Sequence, residues 1–215
     1  GRWRVDLDPL PAGGRYSLLV QAKGKDNQVT EMRLLSNVLA GEVWLACGQS
    51  NLIWPMDADT KRDQAVREMG QYPNIRVAEI GMRDAHLVTE PQADTAGYWG
   101  PVKWEDATYL LPRSSRTDVP GSTSAVAYWF ARDLCRRFDG MVPIGILQVG
   151  AILPVEAWID DATVLATPQL SGLRGKGYPN ATSRAFLANI APLAPYAIRG
   201  VIYYQGEMNA GNGEL

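Results

Sequence analysis

Three short apolar runs constrain this chain more than any other feature. Val43-Trp44-Leu45-Ala46-Cys47, Val142 to Val149 and Gly200-Val201-Ile202-Tyr203-Tyr204 lack the polar alternation of a half-exposed strand. The first therefore predicts a strand buried on both faces of a parallel sheet, the second the next buried strand and the third a final strand. Ile75-Arg76-Val77-Ala78 is a weaker fourth strand. Between them, Thr60 to Met69 is polar and helical in character. Ser124 to Phe138 predicts a second helix with Val126, Trp129, Phe130 and Leu134 on one face. One of Ser122, Thr123 or Ser124 caps it and Gly140 closes it. Thr182 to Leu193 predicts a third, ended before Pro192 or Pro195. Strand and helix in alternation give an α/β fold: a parallel sheet covered by helices, joined by right-handed crossovers.

Two segments depart from that rhythm. In the first forty residues Trp3, Val5 and Leu7, then Tyr16, Leu18 and Val20, alternate with other residues. Pro9 to Gly14 and Gly24-Lys25-Asp26-Asn27 act as turns. This is antiparallel β structure too small to stand alone, read as the end of a β-sandwich. Gly81 to Gly121 is rich in Pro, Gly, Asp and Trp without any period, and predicts a long irregular excursion.

Composition excludes several function classes. Of 215 residues, 21 are Lys or Arg and 23 Asp or Glu, a net charge of −2. A surface for nucleic acid or an acidic membrane needs a basic excess that is absent. Cys47 and Cys135 permit at most one disulfide and no zinc cluster. The most apolar window, Met141 to Ile159, contains Pro143, Gln148, Pro154 and Glu156, so it reads as a buried strand and turn, not a membrane helix. There is one histidine, His86.

In an open parallel sheet, ligands bind beyond the carboxyl ends of the strands. Three such ends are visible: Gly48-Gln49-Ser50-Asn51, Gly150-Ala151-Ile152-Leu153-Pro154 and Gln205-Gly206-Glu207-Met208-Asn209. A serine on a tight turn after a buried strand projects its hydroxyl into that crevice. If a helix follows, its N–H groups and dipole favour the oxyanion formed on attack at an acyl carbonyl. The Gln205 amide is a second candidate donor. The residues alone equally allow a plain turn, since Ser and Asn cap helices well and a buried Gln-Gly-Glu can serve only to satisfy backbone groups.

Longer blocks narrow the reading. Gly41-Glu42-Val43-Trp44-Leu45-Ala46-Cys47-Gly48-Gln49-Ser50-Asn51 resembles the nucleophile block of the sialate O-acetylesterase family, a branch of the SGNH-type hydrolases. The similarity continues through Ser124 to Arg132, Pro154-Val155-Glu156-Ala157-Trp158 and Ile190-Ala191-Pro192-Leu193. It is strongest in Ile198 to Ala210 and weakest from Ala58 to Gly121. Trp3 to Val38 resembles the β-sandwich segment that precedes the nucleophile block in that family.

The resemblance implies a carbohydrate O-acetylesterase with an SGNH-like fold. Residues 1–40 would end a β-sandwich segment, and 41–215 would be the esterase domain. Ser50 would be the nucleophile, and its backbone N–H and the Gln205 side chain would hold the oxyanion. Glu207 and Asn209 would support the loop that carries Gln205, with Gln49 and Ala151 as further supporting positions. No metal or cofactor is implied, and the partner would be an acetylated sugar or glycan, with no nucleic acid or membrane. Placement would be secreted or periplasmic. The family's base is a His in an Asp-x-x-His block downstream of Gln-Gly-Glu. No such block occurs here, so the C-terminal part of the domain is expected to be missing and His86, in Met82 to Leu87, is read as a bystander. The family also has Gly-Gly where this chain has Ala151-Ile152, so Ile152 is expected to crowd the acetyl pocket. Those two departures motivate a competing expectation, a catalytically impaired glycan-binding or scaffold domain. Trp54, Trp99, Trp104, Trp158 and Tyr204 are candidate sugar-stacking or core rings.

Overall fold

The computed structural model describes residues 5, 7–81, 104–106, 123–170 and 182–211. The strands expected of the parallel sheet all form: β3 (Glu42–Gly48), β4 (Ile75–Ile80), β6 (Ile144–Gly150) and β7 (Gly200–Tyr204). They pair in parallel in the order β4-β6-β3-β7. A further strand, β5 (Trp104–Asp106), lies antiparallel on the outer edge of β4. It falls inside the stretch expected to be irregular, the rest of which lies outside the described residues apart from Gly81. The antiparallel pair β1 (Arg15–Lys23) and β2 (Val29–Leu39) forms a separate sheet. Its Tyr16, Leu18 and Val20 are the less exposed residues of β1, as the alternation predicts. Val5 and Leu7 form no strand and are exposed; two apolar residues without a pairing partner do not make one.

Residue alternation along the strands divides the core. Trp44 and Ala46, Ile75 and Val77, and Ile144 and Ile146 face α1 (Arg62–Glu68) and α2 (Ala125–Arg137). Leu45 and Cys47, Ala78 and Ile80, and Leu147 and Val149 face Leu153, Ala157, Trp158 and Ala185 on the other side. Cys47 and Cys135 belong to opposite layers and both are free thiols, so no disulfide forms. Burial pushes the Cys47 thiol up to about 12.

Helix α2 begins where Ser124 accepts a hydrogen bond from the Ala127 N–H at 3.1 Å. It ends with the Gly140 N–H on the Cys135 carbonyl at 2.9 Å. Its most buried face is Ala127, Tyr128, Ala131 and Cys135; Trp129, Phe130 and Leu134 flank that face instead of forming it. Small residues let the helix approach the sheet, and the large ones wedge beside it, with Trp44 and Phe130 edge to face at 4.8 Å. The third helix differs more from expectation. Phe186–Ile190 is π-helical and continues into a 3₁₀ turn, Ala191–Leu193, so Pro192 sits in a first turn instead of ending a helix. A short helix α3 (Asp161–Ala166), capped by the Asp160 carboxylate on the Thr163 N–H at 2.9 Å, went unanticipated. No helix among the described residues is long and apolar enough to cross a membrane.

Candidate active site

Register brings the three strand-end loops together. Gly48 pairs with Gly150 on one side and with Tyr204 on the other. The chains leaving β3, β6 and β7 therefore start side by side at one level. Gly48 makes this possible. With φ at +157°, its backbone passes so near β7 that an added Cβ would lie 2.0 Å from the Tyr204 carbonyl oxygen. The Gln49 N–H then donates to that oxygen at 3.3 Å, and the Ala151 N–H donates to the Gly48 carbonyl at 3.1 Å.

Gln49 is the knot between the loops. It is buried, and its Oε1 accepts from Gln205 Nε2 at 3.0 Å and from the Met208 N–H at 3.2 Å. Its carbonyl accepts from the Leu52 and Ile53 N–H groups at 3.0 and 3.2 Å. Those bonds wind Ser50 and Asn51 into a single turn, with no helix starting there. The condition for a helix dipole behind the serine is therefore not met, and neither Ser50 nor Asn51 caps a helix. Below the turn, the Ser124 hydroxyl donates to the Leu52 carbonyl and the Ser124 N–H to Gln148 Oε1 at 2.8 Å. The start of α2 thus braces the turn from the buried side.

Ser50 stands at the top of that turn, exposed, and its hydroxyl has no partner among the described residues. The Asn51 side chain donates to Glu207 Oε1. Gln205 is brought alongside, but both its amide hydrogens are occupied, by Gln49 and by the Leu153 carbonyl at 2.5 Å. Gln205 Oε1 and Glu207 Oε2 are buried without acceptance of any bond. In the β6 loop, Ala151 spends its N–H on Gly48 and Leu153 its own on Ala151, so Ala151 is a tie between strands. The Ile152 N–H has no described partner, and its side chain is 67% exposed. Ile152 is therefore largely exposed at this end of the sheet and belongs to neither buried core layer.

Asn209 joins the last loop to the β6 loop: Oδ1 accepts from the Val155 N–H at 2.9 Å, and Nδ2 donates to Glu156 Oε2 at 3.1 Å. Glu156 is 6% exposed, and the sequence singled it out only as part of a block. A buried carboxylate depends on such donors, so Asn209→Ala should cost about 1.5–3 kcal/mol. That corresponds to a melting point lower by roughly 4–8 °C. Asn209→Asp should cost more, because it replaces the Nδ2 donor with a second carboxylate facing the buried Glu156. Thermal melts of both variants check this.

His86 and Trp99 lie outside the described residues. Of the other candidate rings, Trp158 is core, edge to face with Tyr203 at 6.3 Å. Trp54 and Tyr204 are exposed, at the end of the Ser50 turn and of β7. Trp104 is exposed on β5, opposite Ala78 on the outer edge of β4. No cluster of metal-ligating side chains occurs among the described residues.

Comparison with known proteins gives one answer. No protein-family model matches the chain. Sialate O-acetylesterase of Homo sapiens is 25% identical over 212 residues, covering 96% of this chain and 38% of that protein. That of Rattus norvegicus is 26% identical over 242 residues, covering 97% and 42%. A crystal structure of a carbohydrate acetylesterase from Xanthomonas citri superposes with a TM-score of 0.72 at 30% identity, over 97% of this chain and 40% of that one. The chain thus spans about two fifths of the length of these relatives. The resemblance carried by the ordered blocks holds along nearly the whole chain, and so does the α/β fold expected from it.

Proposed function

We propose that the chain carries the nucleophile and oxyanion side of a carbohydrate O-acetylesterase site of SGNH type. The observation that carries this reading is the exposed, unpartnered Ser50 at the meeting point of three tied loops, in a chain related to carbohydrate acetylesterases. Ser50 Oγ attacks the acetyl carbonyl while its proton passes to a general base, a role this reading gives to no residue of the chain. The Ser50 and Ile152 N–H groups receive the negative oxygen. Gln205 joins them by exchanging the Leu153 carbonyl for the oxyanion. Collapse expels the sugar hydroxyl, which takes up the proton. Water then releases acetate and regenerates the serine.

Glu207 and Asn209 hold the Gln205 loop in position, through Asn51 and Glu156 respectively. Trp54 and Tyr204 offer exposed rings to the sugar. Residues 41–215 belong to the esterase domain, and residues 1–40 to a preceding β-sandwich segment. The substrate is an acetylated sugar, as its relatives' names suggest, and in this reading it is met outside the cytoplasm.

A fluorophosphonate probe applied to the full-length protein should label the peptide holding Ser50, with 4-nitrophenyl acetate protecting it in proportion to turnover. Acetate release without labelling at Ser50 would put the nucleophile elsewhere. Neither labelling nor release would leave the glycan-binding scaffold as the better reading.

A further inference from the structure

A cavity of about 340 Å³ lies at the opposite end of the sheet, where β3, β4 and β6 begin. The length of β3 separates it from the Ser50 turn by about 20 Å, so it is no part of the site described above. Its volume falls in the range of small-ligand pockets. The floor is Gly145, where a Cβ would meet the Trp104 indole at 3.1 Å and Val43 at 3.3 Å. The missing side chain lets the ring lie down against the sheet. Trp104 and Tyr196 form two walls and remain 39% and 52% exposed. The β2 end forms another, at the irregularity in its pairing with β1. There Asn37 adopts φ of +58° and lines the cavity.

The polar groups are unequal in their needs. Glu42 is already answered by the Trp44 indole N–H at 3.1 Å and by Arg199 at 3.5 Å. Asn74 donates to the Gly140 carbonyl at 3.1 Å, leaving its Oδ1 without a described partner. Arg76 is the exception. Its guanidinium has no hydrogen bond or ion pair among the described residues, and its Nε is buried without an acceptor. Buried donors are rarely left unpaired in folded proteins, because water cannot repay the lost bond.

We propose that this cavity is a second binding site, for a monosaccharide carrying a carboxylate. The Arg76 guanidinium offers a fork of donors suited to a carboxylate. Trp104 and Tyr196 offer flat faces to the apolar side of a pyranose. Asn74 Oδ1 accepts from a ring hydroxyl. Among the described residues, Arg76 is the one basic side chain in the lining, which suits a single negative charge better than a doubly charged phosphate. The inference is independent of whether Ser50 is a nucleophile.

Isothermal titration of the protein tests it, with D-glucuronate as ligand and D-glucose, acetate and D-glucose 6-phosphate as comparisons. Saturable glucuronate binding is expected, at least about tenfold tighter than each comparison. Arg76→Met should weaken it about ten- to a hundredfold, the loss of a charge-assisted pair, while Ser50→Ala leaves it unchanged. If Arg76→Met does not fold, Trp104→Leu at the exposed rim should give a similar weakening. No saturation with glucuronate, or binding as tight for any comparison, overturns the proposal. So does glucuronate binding that survives the rim and Arg76 variants or disappears with Ser50→Ala.

Discussion

Ser50→Ala should lower acetyl ester hydrolysis by about 10⁴-fold or more in kcat and leave the melting temperature where it was. The two halves of that expectation come from the same geometry. The hydroxyl makes no hydrogen bond among the described residues and stands exposed at the top of its turn. Removing it breaks no contact that folding uses, and such surface changes stay within about 0.5 kcal/mol. If hydrolysis runs through an acyl-serine, the same deletion removes the only atom to which the acetyl group transfers. The residual rate would come from the oxyanion donors alone. A structural serine gives the reverse pattern: an unchanged rate and a loss of about 1 kcal/mol, as for a lost cap. Ser124 is such a residue in this chain, capping α2 and donating to the Leu52 carbonyl. Ser124→Ala therefore serves as the control, melting lower without the specific loss in kcat. Rates on 4-nitrophenyl acetate and thermal melts of both variants separate the roles.

What the sequence disclosed, and what it concealed, follows from where each determinant resides. The central strands are legible because burial on two faces demands unbroken apolar runs, and Val43 to Cys47 is one. The cap of α2 is legible because it is a local bond between Ser124 and Ala127. Strand β5 is not, since three residues at an edge acquire their structure from β4 and contribute little signal of their own. The same holds for the π-helical turn at Phe186–Ile190, where packing overrides an amphipathic pattern that fits an α-helix. At the candidate site, Ser50, Gln49, Gln205, Glu207 and Asn209 all emerge from the blocks, and the structure brings their loops together. Their partners do not emerge. That Gln205 donates to Leu153 and Gln49, and that Asn209 answers a buried Glu156, are facts of register between separate strands. Gly150-Ala151-Ile152 is instructive in the same way. Side-chain size suggested crowding, but not that Ala151 spends its N–H tying two strands while the N–H of the exposed Ile152 has no described partner.

Gly48→Ala should cost about 3 kcal/mol or more, lowering the melting point by roughly 6–12 °C. The added methyl would sit 2.0 Å from the Tyr204 carbonyl oxygen, 2.8 Å from its carbon and 3.2 Å from Leu52 Cβ. Two of these are backbone atoms, so no side-chain rotation relieves the contact. Strand β3 cannot move away either, because β6 pairs along its other edge from Glu42 to Gly48. Relief must come from β7, whose displacement breaks the Gln49 N–H bond to Tyr204 and draws Gln205 away from Gln49. Stability and any Ser50-dependent rate should therefore fall together, unlike the split expected for Ser50→Ala. Gly70→Ala is the matched comparison, since a Cβ there meets nothing within 4 Å. It should be neutral or stabilising by up to about 1 kcal/mol, through the narrower unfolded ensemble. If Gly48→Ala melts within 2 °C of the parent, judged against a cost of about 2–4 °C per kcal/mol, β3 and β7 are not packed in this register. The meeting of the three loops at Ser50 would then lose its structural basis, because that register sets Gln205 beside Gln49.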